Sequence, residues 1–436
     1  MKLGFKKVLA MLLIALMVVP TFTCALAAEE KVKLSFSHYF TKEEEAGSEE
    51  SKVFRAMLQE YMEAHPNVEI SVVEMNNNDY QTKLPAQAAA DDLPDVFCTL
   101  GSWIPNFVDS EMLADMTDAL DQSGYMADYR ATMFDPVMVD RRIYGTPLQC
   151  TASAYVYYNA EMWKAAGYDT FPATWEEVIA AKAKFDEQGV YTIAQSNKGK
   201  WNFQSCWLST MGDRFTGTEW TRSIIARDGK AKFTDPEFVA TLECCKTIAQ
   251  ANLFNPDFNA LSTAQAQQLF AEAKAATLID GYWALPYLKE NAGDNLQNIK
   301  MALLPNSGTP KGAPNSLSGG GGWYLSVNNK LQGAQREEAM NLALYLTGPE
   351  FSKRYAEQFG GIGSIKMDSI DVSKFDQLTK DYLAVTESGL LVPIYDAYMD
   401  ASVIDVMNNG LQELLAGTKE PLALAEEIQA AQDMLP

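Results

Sequence analysis

With 436 residues, 47% of them hydrophobic, the chain is longer than one compact core usually serves, and two lobes are expected. Lysine and arginine number 35 against 57 acidic residues, a formal net charge of -22 that makes nucleic acid and anionic lipid poor partners. The cysteines beyond residue 27 (Cys98, Cys150, Cys206, Cys244 and Cys245) are odd in number and mostly far apart, which excludes a disulfide framework.

The chain opens on an export signal. Lys2, Lys6 and Lys7 form a basic head, Val8 to Val19 is an apolar run short for a bilayer span, and Ala25-Leu26-Ala27 supplies a small-x-small cleavage pattern. Residues 1–27 are therefore read as a signal peptide and the mature protein as exported, periplasmic or extracellular. Lipid attachment at Cys24 would anchor it to the cell surface instead, but Phe22 is bulky where such sites want small residues.

Val32 to Ser37 alternates apolar and polar residues, the period of a strand, and empties into His38, Tyr39 and Phe40. Val53, Phe54, Met57, Leu58 and Tyr61 share one helical face that stops at Pro66, and Asn67 to Val73 alternates again. Strand, helix, strand is the unit of a parallel sheet. A helix over Tyr80 to Ala90 and a third strand at Asp95 to Cys98 continue it. Tyr39, Asp79, Ser102 and Trp103 fall just after strands, where the loops of an open α/β sheet gather a ligand.

Gln149 to Ser153 is a polar extended link ahead of an aromatic strand, Ala154 to Tyr158, and reads as a hinge into a second lobe. Thr174 and Glu177 make a capping box that starts a helix reaching Gln188. Trp201, Phe203 and Trp207 crowd a segment with no clear period. Helices follow over Glu237 to Ala251, Thr263 to Ala273, Arg336 to Leu346, a further helix bearing Phe351, Tyr355 and Phe359 that stops at Gly360-Gly361, and then Ser402 to Ala416 and Pro421 to Met434.

Leu269 to Val327 organises the rest. A buried strand, Ala276 to Ile279, ends in Asp280, Gly281, Tyr282 and Trp283, and the run Gly319 to Gly322 is followed at once by Trp323 and Tyr324. The glycines let backbone come close to something.

The ordered set LPDVF, YGTPL, YYNAEMWKAAGY, PATWEEV, FAEAKAATLIDGYW, ALLPNSG and GGGGWYLSVNN resembles the extracellular solute-binding proteins of ABC importers, in their carbohydrate-binding group that includes maltose-binding protein. The resemblance covers the mature chain. It implies an α/β, two-lobed periplasmic-binding-protein fold of type II, each lobe a mainly parallel sheet flanked by helices, with a hinge between them and closure around a ligand. By that analogy the first lobe takes 28–149 with 300–322, and the second takes 151–298 with 324–436. The implied partners are a carbohydrate and the permease subunits of an importer, with the protein acting as a monomer and without cofactor or metal. Ser102 and Trp103 replace the polar residues maltose-binding proteins carry after the third strand, so maltose itself is not implied.

A sugar offers apolar C–H faces and a ring of hydroxyls, so its site needs flat aromatic walls and a few hydrogen-bonding groups. The candidate walls are Tyr39, Trp103, Tyr155, Trp207, Tyr282, Trp283, Trp323 and Tyr395; the candidate polar partners are Asp79, Ser102, Gln149, Asp280 and Asp396, with the N–H groups of Gly321 and Gly322. For any one aromatic the plain alternative is a place in the core, and for Asp280 a turn that caps the next helix. Only two histidines are present, with no HExxH, GxxxxGK or GxSxG pattern, so no enzyme is expected. A secreted glycosidase stays open, since it needs only two carboxyls about 5 to 9.5 Å apart. A binding protein for peptides, amino acids or another non-sugar ligand also stays open, although the loops singled out lack the arginine such ligands call for.

Overall fold

The computed structural model describes residues 31–42, 49–308, 311–359, 364–366 and 372–435. The export segment, Cys24 and the expected helix stop at Gly360-Gly361 lie outside them.

The first sheet forms as the alternation predicts. β1 (Val32–His38) pairs in parallel with β2 (Val68–Glu74) and β3 (Val96–Leu100). Between β1 and β2 runs α1 (Glu49–Ala64), which buries Val53, Phe54, Met57, Leu58 and Tyr61. α2 (Asn77–Ala89) starts at an Asn76 cap, and Tyr80 on it is fully buried against the sheet. His38 is a packing residue, its ring 5.1 to 6.2 Å from those of Phe36, Phe54 and Phe40.

Two crossings lead to the second lobe. β4 (Thr146–Pro147) ends the first sheet, β5 (Cys150–Ala152) lies in the expected link, and β6 (Tyr155–Asn159) opens the next sheet. β7 (Thr277–Asp280) and β8 (Ile299–Leu303) flank β6, both antiparallel to it. The parallel pairing of the first sheet is therefore not repeated here. β6 leaves the crossing and β7 returns to it, so Tyr155 at the start of one pairs with Asp280 at the end of the other. The Thr174 capping box is present and launches α3 (Trp175–Gln188), which stops at left-handed Gly189. α4 (Pro236–Gln250) and α5 (Thr263–Ala271) complete this part.

The return crossing is β9 (Ser316–Gly321), antiparallel to β5, and it passes into β10 (Trp323–Val327). Here the structure corrects the expected division of the chain. β8 belongs to the second sheet, whereas β10 inserts between β3 and β4 in the first. α6 (Gly333–Thr347) and α7 (Pro349–Phe359) pack on β10, β1 and α1, with Leu342 and Phe351 in the same core as Phe54. The chain then returns through α8 (Gln377–Ser388), β11 (Leu390–Pro393), α9 (Ala401–Leu415) and α10 (Pro421–Asp433) to the second lobe. An amphipathic helix shows which of its faces is buried but not which of two cores receives it.

The segment without clear period is helical, and Gln204–Leu208 within it takes a π turn. The Ser205 carbonyl on that turn accepts from Ser153 Oγ at 2.9 Å and Ser318 Oγ at 3.2 Å, one residue from each crossing. Thr210 Oγ1 adds 2.9 Å bonds to both the hydroxyl and the amide of Ser318. Both crossings are thus pinned to the second lobe at this point. Cys98, Cys150, Cys206, Cys244 and Cys245 are free thiols, all buried but Cys244.

Candidate functional site

The loops after β1 and β3 and the head of β10 meet at one edge of the first sheet. Tyr39, Trp103 and Trp323 gather there: the Trp323 ring lies 4.5 Å from Tyr39 and 5.8 Å from Trp103, the latter edge-on at 88°. Tyr80 closes the group at 6.0 Å and is fixed from behind, its hydroxyl accepting from the Cys98 amide at 2.9 Å. Ser102 is buried in the turn that carries Trp103. Asp79 does not join them. It is exposed on the first turn of α2, where its amide donates to Asn76 Oδ1 at 3.0 Å and its carboxylate lies 3.9 Å from Lys83. It serves the helix start.

On the second lobe Asp280 ends β7, buried and surrounded by donors. Trp283 Nε1 lies at 2.7 Å, Gln267 Nε2 and the Gly281 amide at 2.9 Å, and Asn202 Nδ2 at 3.3 Å. Burial pushes its carboxyl up to about 6, and these four donors pull the other way. Its effect is to aim the indole of Trp283, which stands edge-on to Trp201 at 5.5 Å, both rings half-buried. Trp201, which pairs with Trp283, was not among the walls expected from the sequence. Its aromatic neighbours in the sequence were visible, but its contact with Trp283, far along the chain, is a tertiary one that no local pattern marks.

Three expected wall residues are core instead. Trp207 is fully buried and stacked between Trp175 at 5.1 Å and Phe203 at 5.0 Å. Tyr155 is buried against Tyr382, its hydroxyl 2.7 Å from Thr386 Oγ1. Tyr395 is buried against Gly212, and its amide donates to Ser209 Oγ at 3.1 Å. Asp396, next to it, is partly exposed, and burial of its carboxyl pushes it up to about 6. The glycines are also absorbed by the chain itself. A Cβ on Gly321 would meet Tyr324 Oη at 1.8 Å, and one on Gly322 would meet Thr151 Oγ1 at 1.9 Å. Gly322 lets the two crossings approach each other, whereas Gly321 makes room for the Tyr324 hydroxyl and the Met133 carbonyl.

The lobes touch. The turn 101–103 abuts the short helix Tyr395–Tyr398, where a Cβ on Gly101 would lie 2.7 Å from the Ala397 carbonyl, and Asn106 Nδ2 lies 3.4 Å from Asp400 Oδ2. Deeper in, Gln149 of the link is 2.8 Å from Tyr282 Oη. The same amide faces the carboxyl of Glu50 on α1, a residue the sequence reading did not select. Glu50, Gln149 and Tyr282 thus join first lobe, link and second lobe at one point.

Such an arrangement offers apolar ring surfaces on both lobes together with hydrogen-bonding groups. Among the described residues no group of three His, Cys, Asp or Glu side chains is placed to hold a metal ion.

The model for bacterial extracellular solute-binding proteins matches residues 56–380. The Streptococcus mutans multiple sugar-binding protein is 21% identical over 344 residues, 78% of this chain and 76% of that protein. Among solved structures, a protein of xylan utilization in Caldanaerobius polysaccharolyticus superposes with a TM-score of 0.81 at 25% identity, covering 92% of this chain and 99% of the other. A chitin oligosaccharide binding protein gives 0.82 at 21% identity, covering 93% and 98%. These are two-lobed binding folds of the kind described above.

Proposed function

The chain belongs to the bacterial extracellular solute-binding protein family, and on that premise we propose that it captures a carbohydrate between its lobes and delivers it to the permease of an ABC importer. The observation that carries the sugar is the aromatic group of Tyr39, Trp103 and Trp323 on one lobe with the Trp201–Trp283 pair on the other. Flat rings match the C–H faces of pyranoses, and in this reading Ser102, Gln149 and Asp396 meet the hydroxyls. Xylan, chitin oligosaccharide and multiple sugars stand in the names of similar proteins, which favours an oligosaccharide.

In this reading the protein acts outside the cytoplasmic membrane as a monomer, freed by cleavage after Ala27 and not anchored through Cys24. It binds and releases without chemical change. The test is thermal melting of the mature protein with xylo-, chito- and malto-oligosaccharides, against amino acids and short peptides. A ligand at a hundred times its dissociation constant adds about 2.7 kcal/mol, a shift of several degrees. One sugar class is expected to raise the melt and to be recovered intact. Consumption of the sugar would make the protein a glycosidase, and a response to peptides alone would overturn the carbohydrate reading.

A further inference from the structure

Glu50 stands in the first turn of α1. The residue keeps some exposed surface, while its carboxyl is turned into the junction of the lobes. With its amide nitrogen toward the junction, Gln149 donates to Glu50 Oε2 at 2.6 Å and to Tyr282 Oη at 2.8 Å. The Tyr282 hydroxyl is itself hydrogen-bonded to the Glu50 carboxyl. One acid of the first lobe is therefore held by the link and by the second lobe at once.

Among the described residues, the groups that face this point are neutral. Cys98 on β3 faces Glu50, and Tyr39 after β1, Tyr355 on α7 and Tyr382 on α8 face Tyr282. Burial pushes the Cys98 thiol and the Tyr282 and Tyr382 phenols up, so all three stay protonated through the physiological range. Arg55, further along α1, is engaged by Glu74. An ionised carboxylate here loses water without gaining a counter-ion from these neighbours, and it regains that water when the lobes part.

We propose that Glu50 is the first lobe's half of a cross-cleft latch that engages as the neutral acid, so that closing takes up one proton from solvent and opening returns it. Burial with the lobes in contact pushes the carboxyl from 4.5 up to about 8, against the Tyr282 hydrogen bond that pulls it down, and parting the lobes would return the group to water. The proposal rests on the two-lobed reading, in which the lobes part and close, and not on the identity of the ligand.

Small-angle X-ray scattering of the ligand-free mature protein between pH 5 and 9 tests it, with circular dichroism to show that the chain stays folded. The closing equilibrium of the wild type should fall by up to about tenfold per pH unit from pH 5 to about 8 and level off above that, seen as a growing radius of gyration. Glu50→Gln, which cannot ionise, should hold one radius throughout, and Glu50→Ala should be equally insensitive to pH. A wild-type radius that does not change with pH, or a Glu50→Gln radius that follows the wild type, overturns the latch. No sugar is present, so a failed sugar panel and a failed latch are separate results.

Discussion

The indole of Trp323 stands at 88° to that of Trp103 with ring centroids 5.8 Å apart, so an edge of one ring is presented to the face of the other. Trp323 also packs on Tyr39 and Tyr80 and is 7% exposed. It therefore has two roles that one substitution separates. Trp323→Ala removes a ring from the core as well as from the wall and should cost about 3 to 5 kcal/mol of stability. Trp323→Phe keeps apolar bulk and should retain most of that stability. Both should weaken sugar binding, the alanine by at least about tenfold, roughly the worth of one or two aromatic contacts. Urea unfolding and titration with the sugar found in the melting panel give the two numbers. Unchanged affinity in the alanine variant would remove Trp323 from the wall.

Asp280 should matter through Trp283. Its carboxyl oxygens face four donors, so Asp280→Asn sets an amide N–H against at least one of them. A loss of about 1 to 3 kcal/mol is expected from the unpaired buried group. The indole of Trp283 should lose its fixed direction, visible as a changed near-ultraviolet dichroism. Trp201→Ala, at a half-buried ring, should instead weaken binding with a smaller loss of stability. Equal stability losses in the two variants would count against the distinction between a positioning acid and a wall ring.

Much of the fold was legible because its signals are local. Alternation located β1 and β2, the Thr174–Glu177 box located the start of α3, and Asp280 fell at a strand end as read. The division into lobes was not, since β10 and α6 carry nothing in their own periodicity that favours one core over the other. The aromatic candidates split for a related reason. Trp207 and Trp323 are both large and mostly apolar, and only the packing of the π turn and of β10 decides that one is interior and the other at the sheet edge. Nothing local marks Glu50, since an acid at a helix start already has an explanation in the helix dipole.

His38 should make the protein sensitive to acid. Its ring is buried among Phe36, Phe40 and Phe54, and desolvation lowers it from 6.5 to about 4. Between those values the unfolded chain binds a proton that the folded one refuses, so stability falls as pH drops through that window, by up to about 3 kcal/mol. Glu50 acts in the opposite sense, because a raised carboxyl favours the folded chain at low pH and loses that contribution as pH rises from 4.5 to about 8. His38→Phe removes the first effect alone. Urea unfolding at pH 7 and pH 4.5 should show the variant losing less stability than the wild type on acidification, and equal losses would mean His38 is not protonated on unfolding.

The crossing glycines carry the last prediction. β5 and β9 run antiparallel with Gly321 opposite Cys150, and the next residue, Gly322, lies so close to Thr151 that a Cβ would sit 1.9 Å from its Oγ1 and 2.8 Å from its Cβ. Gly322→Ala must therefore push the crossings apart, and shortening Thr151 to serine would not relieve the contact with Cβ. Because Ser153 and Ser318 are pinned to Ser205, the strain falls on the part of the crossings nearer the first lobe. A loss of about 1 to 3 kcal/mol is expected from overpacking, together with an altered distance between the lobes in scattering. Thr151→Gly in the same chain removes the clashing atoms and should restore the lobe distance, leaving only the cost of an added glycine. If the double variant is no better than Gly322→Ala alone, the approach to Thr151 is not what requires glycine at residue 322.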